Sequence, residues 1–212
     1  GAQLVARSRY LFAIVAIVGA YEISSTLMDF QFTSSVAHYL DGTAIRSHLA
    51  TVFAITNATA LLVQLLVTSP VMARYGVGVA LLVLPLTVFG GSGLFLVAPV
   101  LWAGSLLTVA DNAFSYSIHQ SAKEALYVPT SRSEKYQAKA FIDMFVMRFA
   151  KVLAVVVSLG VAALFREYDS VRWLSLVTFV VLLGWIAAAR YAGRRFAEIE
   201  ALPAPTAGAA VR

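Results

Sequence analysis

Long apolar stretches separated by short polar breaks run along nearly the whole chain. A helix needs roughly 20 apolar residues to cross a hydrocarbon core about 30 Å thick. The pattern predicts six such spans, over 10–36, 43–69, 77–97, 100–128, 133–165 and 171–190. Ser69-Pro70 and the Ala73-Arg74-Tyr75-Gly76 turn close the second span, Pro99 opens the fourth and Pro129 ends it, because proline lacks the N–H that a helix interior uses. Ser131 and Glu134 stand at capping-box spacing ahead of the fifth. Pro85, Gly90, Gly91 and Gly93 fall inside the third span, where a membrane helix tolerates them if its neighbours satisfy the freed backbone groups. Arg190, Arg194 and Arg195 end the sixth, and the Pro/Ala-rich residues 201–212 read as a disordered tail. One all-α integral membrane domain over residues 1–200 is the expectation.

Composition sharpens this. The 212 residues are 60% hydrophobic and 13% charged, where a soluble domain has about a quarter charged, so no soluble catalytic module is hidden among the spans. There is no cysteine, and His38, His48 and His119 form no His-x-x-x-His pair, which leaves no thiolate chemistry and no visible metal site. No catalytic triad or paired-carboxylate pattern is present, so neither an enzyme nor a cofactor is expected. The net charge of +5 would suggest nucleic acid in a soluble protein, but here the charges sort by loop. With alternate loops on opposite sides, one side collects Arg7, Arg9, Arg74, Arg132, Lys135, Arg190, Arg194 and Arg195, and the other only Arg46, Arg166 and Arg172. The positive-inside rule puts both termini in the cytoplasm, and a bacterial inner or cell membrane is the expected location. Tyr10, Tyr39, Tyr75, Tyr127, Tyr136, Tyr168 and Tyr191 fall near span ends with Trp102 and Trp173, as an interfacial aromatic belt requires. The chain begins at Gly1 with no initiator methionine or signal peptide, so it is expected to be an excised part of something longer.

Nine ionisable residues remain inside the spans: the acids Glu22, Asp29, Asp111, Glu124 and Asp143, and the bases Lys123, Lys139, Arg148 and Lys151. A charge near the bilayer centre costs about 2.5–3.5 kcal/mol, so such residues face a bundle interior or a watery cavity. At about 100° per residue, Lys139, Asp143, Arg148 and Lys151 share one half of the fifth helix. Lys139 and Asp143 form an i,i+4 pair, whereas Arg148 and Lys151 must find a partner elsewhere, in Asp111, Glu22, Asp29 or an anionic ligand. Glu22 and Asp29, seven residues apart, share a face with Ser25 and Thr26; Thr108, Asn112, Ser115, His119 and Lys123 form a second polar stripe. Three helices polar toward a common interior can line an aqueous cavity. The plainer alternative is structural: Lys139 and Asp143 locking helices together, Lys123 and Glu124 snorkelling to the interface, and His119 serving as a hydrogen-bonded interior residue.

Ser115-Tyr116-Ser117-Ile118, Lys123-Glu124-Ala125-Leu126-Tyr127-Val128-Pro129 and Lys135-Tyr136-Gln137-Ala138-Lys139-Ala140-Phe141-Ile142-Asp143 follow one another at fixed spacing. This region resembles the ATP/ADP translocases of plastids and obligate intracellular bacteria, of the major facilitator type. The resemblance reaches the first helix through Tyr21-Glu22-Ile23-Ser24 and Asp29, and Arg74-Tyr75-Gly76 looks like the turn that facilitator halves carry between their second and third spans. Lys123, Glu124, Lys135, Lys139, Asp143 and Lys151 match charged positions of that family, and Asp29 matches an acid believed important for transport. Thr33, Ser115 and Gln137 stand where the family carries lysines, and Ala150 and Val152 where it has Gly and Ser around the lysine.

The resemblance implies a carboxyl-terminal six-helix half bundle, partnered by an amino-terminal half of the same polypeptide, that moves nucleotides by ATP/ADP antiport. Its substrate-binding residues would be Lys123, Lys139, Arg148, Lys151, Asp29, Glu22, Asp143, Asp111 and Asn112. A carrier of another organic anion, a non-transporting membrane scaffold or sensor, and a six-helix homodimer are the alternatives.

Overall fold

The computed structural model describes residues 2–130, 132–164 and 167–201. Ser131, Arg166 and the tail from residue 202, each part of a reading above, lie outside them. Every regular element among the described residues is helical. A short α1 (Ala2–Arg7) precedes α2 (Arg9–Tyr39). Between them Ser8 takes an extended backbone, and its hydroxyl accepts a hydrogen bond from the Leu11 amide at 3.3 Å, which caps α2.

A π-helical turn at Gln64–Thr68 joins α3 (Gly42–Val63) to α4 (Ser69–Val97). The second span therefore does not stop at Ser69-Pro70. Pro70 sits directly after this π turn in a helix that runs on from Gly42, and the break falls in the second part of the expected closure, at Gly76. Its φ of +78° is open to glycine and strained for residues with a Cβ.

α5 (Leu101–Phe114) and α6 (Gln120–Ala125) are joined by a second π turn, Ser115–His119. A third, Ile142–Val146, joins α7 (Arg132–Phe141) to α8 (Met147–Leu164). A 3-10 turn at Tyr168–Trp173 leads into α9 (Leu174–Glu200), which runs past the arginine cluster expected to end it.

Among the described residues four helical stretches are long and apolar enough to cross a membrane: Arg9–Tyr39, Gly42–Val97, Glu134–Leu164 and Tyr168–Glu200. The 56 residues of Gly42–Val97 would measure about 84 Å as one helix, and Gly76 divides them. α5 and α6, which carry Asp111, Lys123 and Glu124, are not among the four.

α2 is the centre of the bundle, packed on α5, α8 and α9, while α4 packs on α5 and α9. Ile14, Ile17, Leu27, Leu84, Phe95 and Trp185 are buried in the core. At the seam between α4 and α9 the backbones themselves touch: a Cβ placed on Gly193 would lie 2.6 Å from the Gly78 Cα. At one end of the bundle, the Tyr168 hydroxyl donates to the Pro99 carbonyl at 2.8 Å and lies 2.8 Å from Ser35 Oγ, and its ring stacks on His38 at 4.1 Å. Gln31 Nε2 donates to the Val171 carbonyl and to Ser175 Oγ, tying α2 to the start of α9.

Candidate functional site

A cavity of about 500 Å³ opens between α2, α5–α6 and α8. Spacing explains its walls. Glu22, Ser25, Thr26 and Asp29 recur at three- and four-residue intervals on α2, and Asn112, Tyr116, Gln120 and Lys123 do the same on the helix opposite. Met147, Lys151 and Val155 complete it from α8.

Charge is arranged in opposition. Glu22 is buried, and its Oε2 lies 3.4 Å from the Nζ of the more exposed Lys151, across the α2–α8 contact. Behind the cavity Asp111 is almost completely buried, and its Oδ2 accepts from Ser25 Oγ at 2.8 Å. Its other oxygen has no hydrogen-bond partner among the described residues, and neither does either ring nitrogen of the buried His119. His119 is instead packed by rings, with Tyr21 at 5.2 Å and Trp185 at 5.7 Å between centroids. Unpaired polar groups are expensive in an apolar surrounding, so this wall retains hydrogen-bonding capacity at the cavity's edge. Among the described residues no group of three His, Asp or Glu side chains is placed to hold a metal ion.

Of the nine residues singled out by sequence, Glu22, Asp29, Asn112, Lys123 and Lys151 line the cavity, and Asp111 is joined to it through Ser25. Lys139, Arg148 and Asp143 do not line it. Lys139 pairs with Glu124 at 2.6 Å, beneath the Tyr127 ring at 5.9 Å, rather than with Asp143. Asp143 and Arg148 are exposed on the α7–α8 helix. Both assignments had rested on distance along one helix, whereas the turn after α6 brings Glu124 alongside α7. Sequence reasoning did not count Tyr21, Tyr116 and Gln120 as site residues. The available signal was their spacing: Tyr21 precedes Ser25 by four residues, and Asn112, Tyr116 and Gln120 are four apart.

Residues 89–196 match the family model for the TLC ATP/ADP transporter. The chain is 23% identical to ADP,ATP carrier protein 2 of Chlamydia pneumoniae over 90% of its own length and 39% of that protein. It is 25% identical to ADP,ATP carrier protein 2 of Chlamydia trachomatis serovar D, over 94% of the chain and 41% of the relative. It is also 25% identical to the chloroplastic ADP,ATP carrier protein 1 of Arabidopsis thaliana, over 86% of the chain and 33% of the relative. The chain thus spans 33% to 41% of the length of these relatives. No solved structure matches it. The chain belongs to the TLC ATP/ADP transporter family, and its long apolar helices make it an integral membrane protein.

Proposed function

We propose that this member of the TLC ATP/ADP transporter family forms the carboxyl-terminal half of a twelve-helix carrier, exchanging ATP for ADP by alternating access. The opposed Glu22–Lys151 pair at a polar cavity, in a chain of this family, carries the reading. The 56-residue apolar stretch then counts as two spans hinged at Gly76. The α5–α6 helix counts as another, its charges turned to the cavity, which makes six spans in a major facilitator-type half bundle. Loop charge favours both ends of the chain on the cytoplasmic side, and the membrane we assign to it is a bacterial inner membrane. The second half of the polypeptide would close the open side of the cavity.

An exchanger needs cations that bind polyphosphate and a partner for them when the site is empty, or the unpaired charge would block the return step. Glu22 fills that second role for Lys151, and Asp29 adds a second acid to the same cavity. Phosphate oxygens would draw Lys151 from Glu22 and engage Lys123, with Asn112 offering an amide alongside. Asp111 holds Ser25 in place on the opposite wall. Lys139, Arg148 and Asp143 supply further charge along the route once the second half encloses them.

The test is counter-exchange of labelled ATP and ADP in preloaded liposomes, using the full-length parent protein beside its Lys151→Ala and Lys139→Ala variants. Exchange lost in the variants, with protein still inserted, supports the cation site. Exchange retained in both would remove it. No exchange in the parent would turn the reading to another organic anion or to a scaffold that binds without moving its ligand.

A further inference from the structure

We infer that the groove between the start of α4, just past Gly76, and the end of α9 binds the headgroup of an anionic phospholipid through Arg190 and Arg194. The groove, about 570 Å³, shares no lining residue with the Glu22–Lys151 cavity.

Three observations converge on this ligand. The first is charge. Arg190 and Arg194 are exposed, one helical turn apart on α9, and neither has an ion pair among the described residues. Like charges at that spacing destabilise a helix. The neighbouring Arg195 is already held by Glu198 at 2.5 Å. Glu200, the one acid lining the groove, shares the face of Gly193 seven residues before it, which leaves one acid against two arginines.

The second is shape. Gly78 and Gly193 meet backbone to backbone in the groove, so no side chain of either helix fills it there. Val77, Val79, Leu82 and Phe196 supply apolar walls, beside Tyr75. A ligand that satisfies both parts carries an anionic group and a hydrocarbon chain.

The third is depth. From Leu174 to Ala189 α9 carries no charged residue, which is about 24 Å of helix at 1.5 Å per residue. The arginines therefore stand where headgroups begin, as in the basic pockets between membrane helices that hold acidic lipids.

Native mass spectrometry of the full-length parent protein in detergent tests this, titrating dioleoyl phosphatidylglycerol, dioleoyl phosphatidylcholine and inorganic phosphate in separate arms. Two arginines at a membrane surface should favour phosphatidylglycerol by about 30-fold, and Arg190→Gln/Arg194→Gln should abolish that preference. Arg172→Gln, at the opposite end of α9, should leave it intact. Equal binding of the two lipids by the parent protein would overturn the proposal, as would a preference that survives the double substitution. Full displacement of phosphatidylglycerol by inorganic phosphate would make the groove a free-anion site and overturn it equally. The comparison of lipids on the parent protein stands even if the double variant fails to fold.

Discussion

Two seams of this bundle are built in opposite ways. Between α4 and α9 the helices meet at Gly78 and Gly193, with no side chain between the backbones. Between α2 and α8 the contact carries charge, a buried carboxylate facing a lysine at the wall of a polar cavity. Close backbone packing tolerates no change of distance, because interiors are dense and bistable rather than elastic. A charged contact at the wall of such a cavity can open and re-form. The first seam is suited to staying shut while the second exchanges partners.

The sharpest way to break that contrast is Lys151→Ala. It leaves the buried Glu22 without its cation and should lower exchange by roughly 10- to 150-fold, the range set by losing a hydrogen bond to a charged group. Adding Glu22→Gln should restore thermal stability without restoring flux, which paired melting and liposome assays would separate.

On the closed seam, Gly193→Ala drives a Cβ to 2.6 Å from the Gly78 backbone and should cost about 1–3 kcal/mol. Gly78→Ala should cost little, because its Cβ would sit at 3.4 Å from Gly193 and alanine is the better helix former by about 1 kcal/mol. Melting of both variants in detergent checks the asymmetry, and equal losses would show that the seam can give. Tyr168→Phe removes the hydroxyl that reaches Pro99 and Ser35 and should cost about 1 kcal/mol. Arg172→Gln breaks a surface pair with the Asp169 carboxylate and a bond to the Asp169 carbonyl and should change stability by less than about 0.5 kcal/mol.

Much of this was legible in the sequence because the bilayer enforces strict rules. Helices are the expected elements throughout, and an intramembrane charge has to face something polar, so the sequence alone makes Glu22 a candidate partner for Lys151. Periodicity within a helix also put Asn112 and Lys123 on one stripe. What it could not supply was the return path of the chain. Lys139 was matched to Asp143, four residues along, because the turn that carries Glu124 back beside α7 leaves no periodic signature. Proline usually ends helices, so Ser69-Pro70 shares the expected closure with the turn at Gly76; the helix runs through Pro70 directly after a π turn, and Gly76 does the breaking. The contact of Gly78 with Gly193 joins residues 115 positions apart, and nothing local marks it.

The π turn at Ile142–Val146 bears on which deletions this protein can survive. Such a turn holds one residue more than an α-helical turn. Removing a single residue from within it should let the helix close to ordinary geometry, with Lys139 still meeting Glu124 and Lys151 still meeting Glu22. The same deletion between Met147 and Lys151 has no surplus to absorb it and would swing one of the two lysines by about 100°. The helix carries its own spare length, next to the cavity, where a change of chain length would otherwise do the most harm.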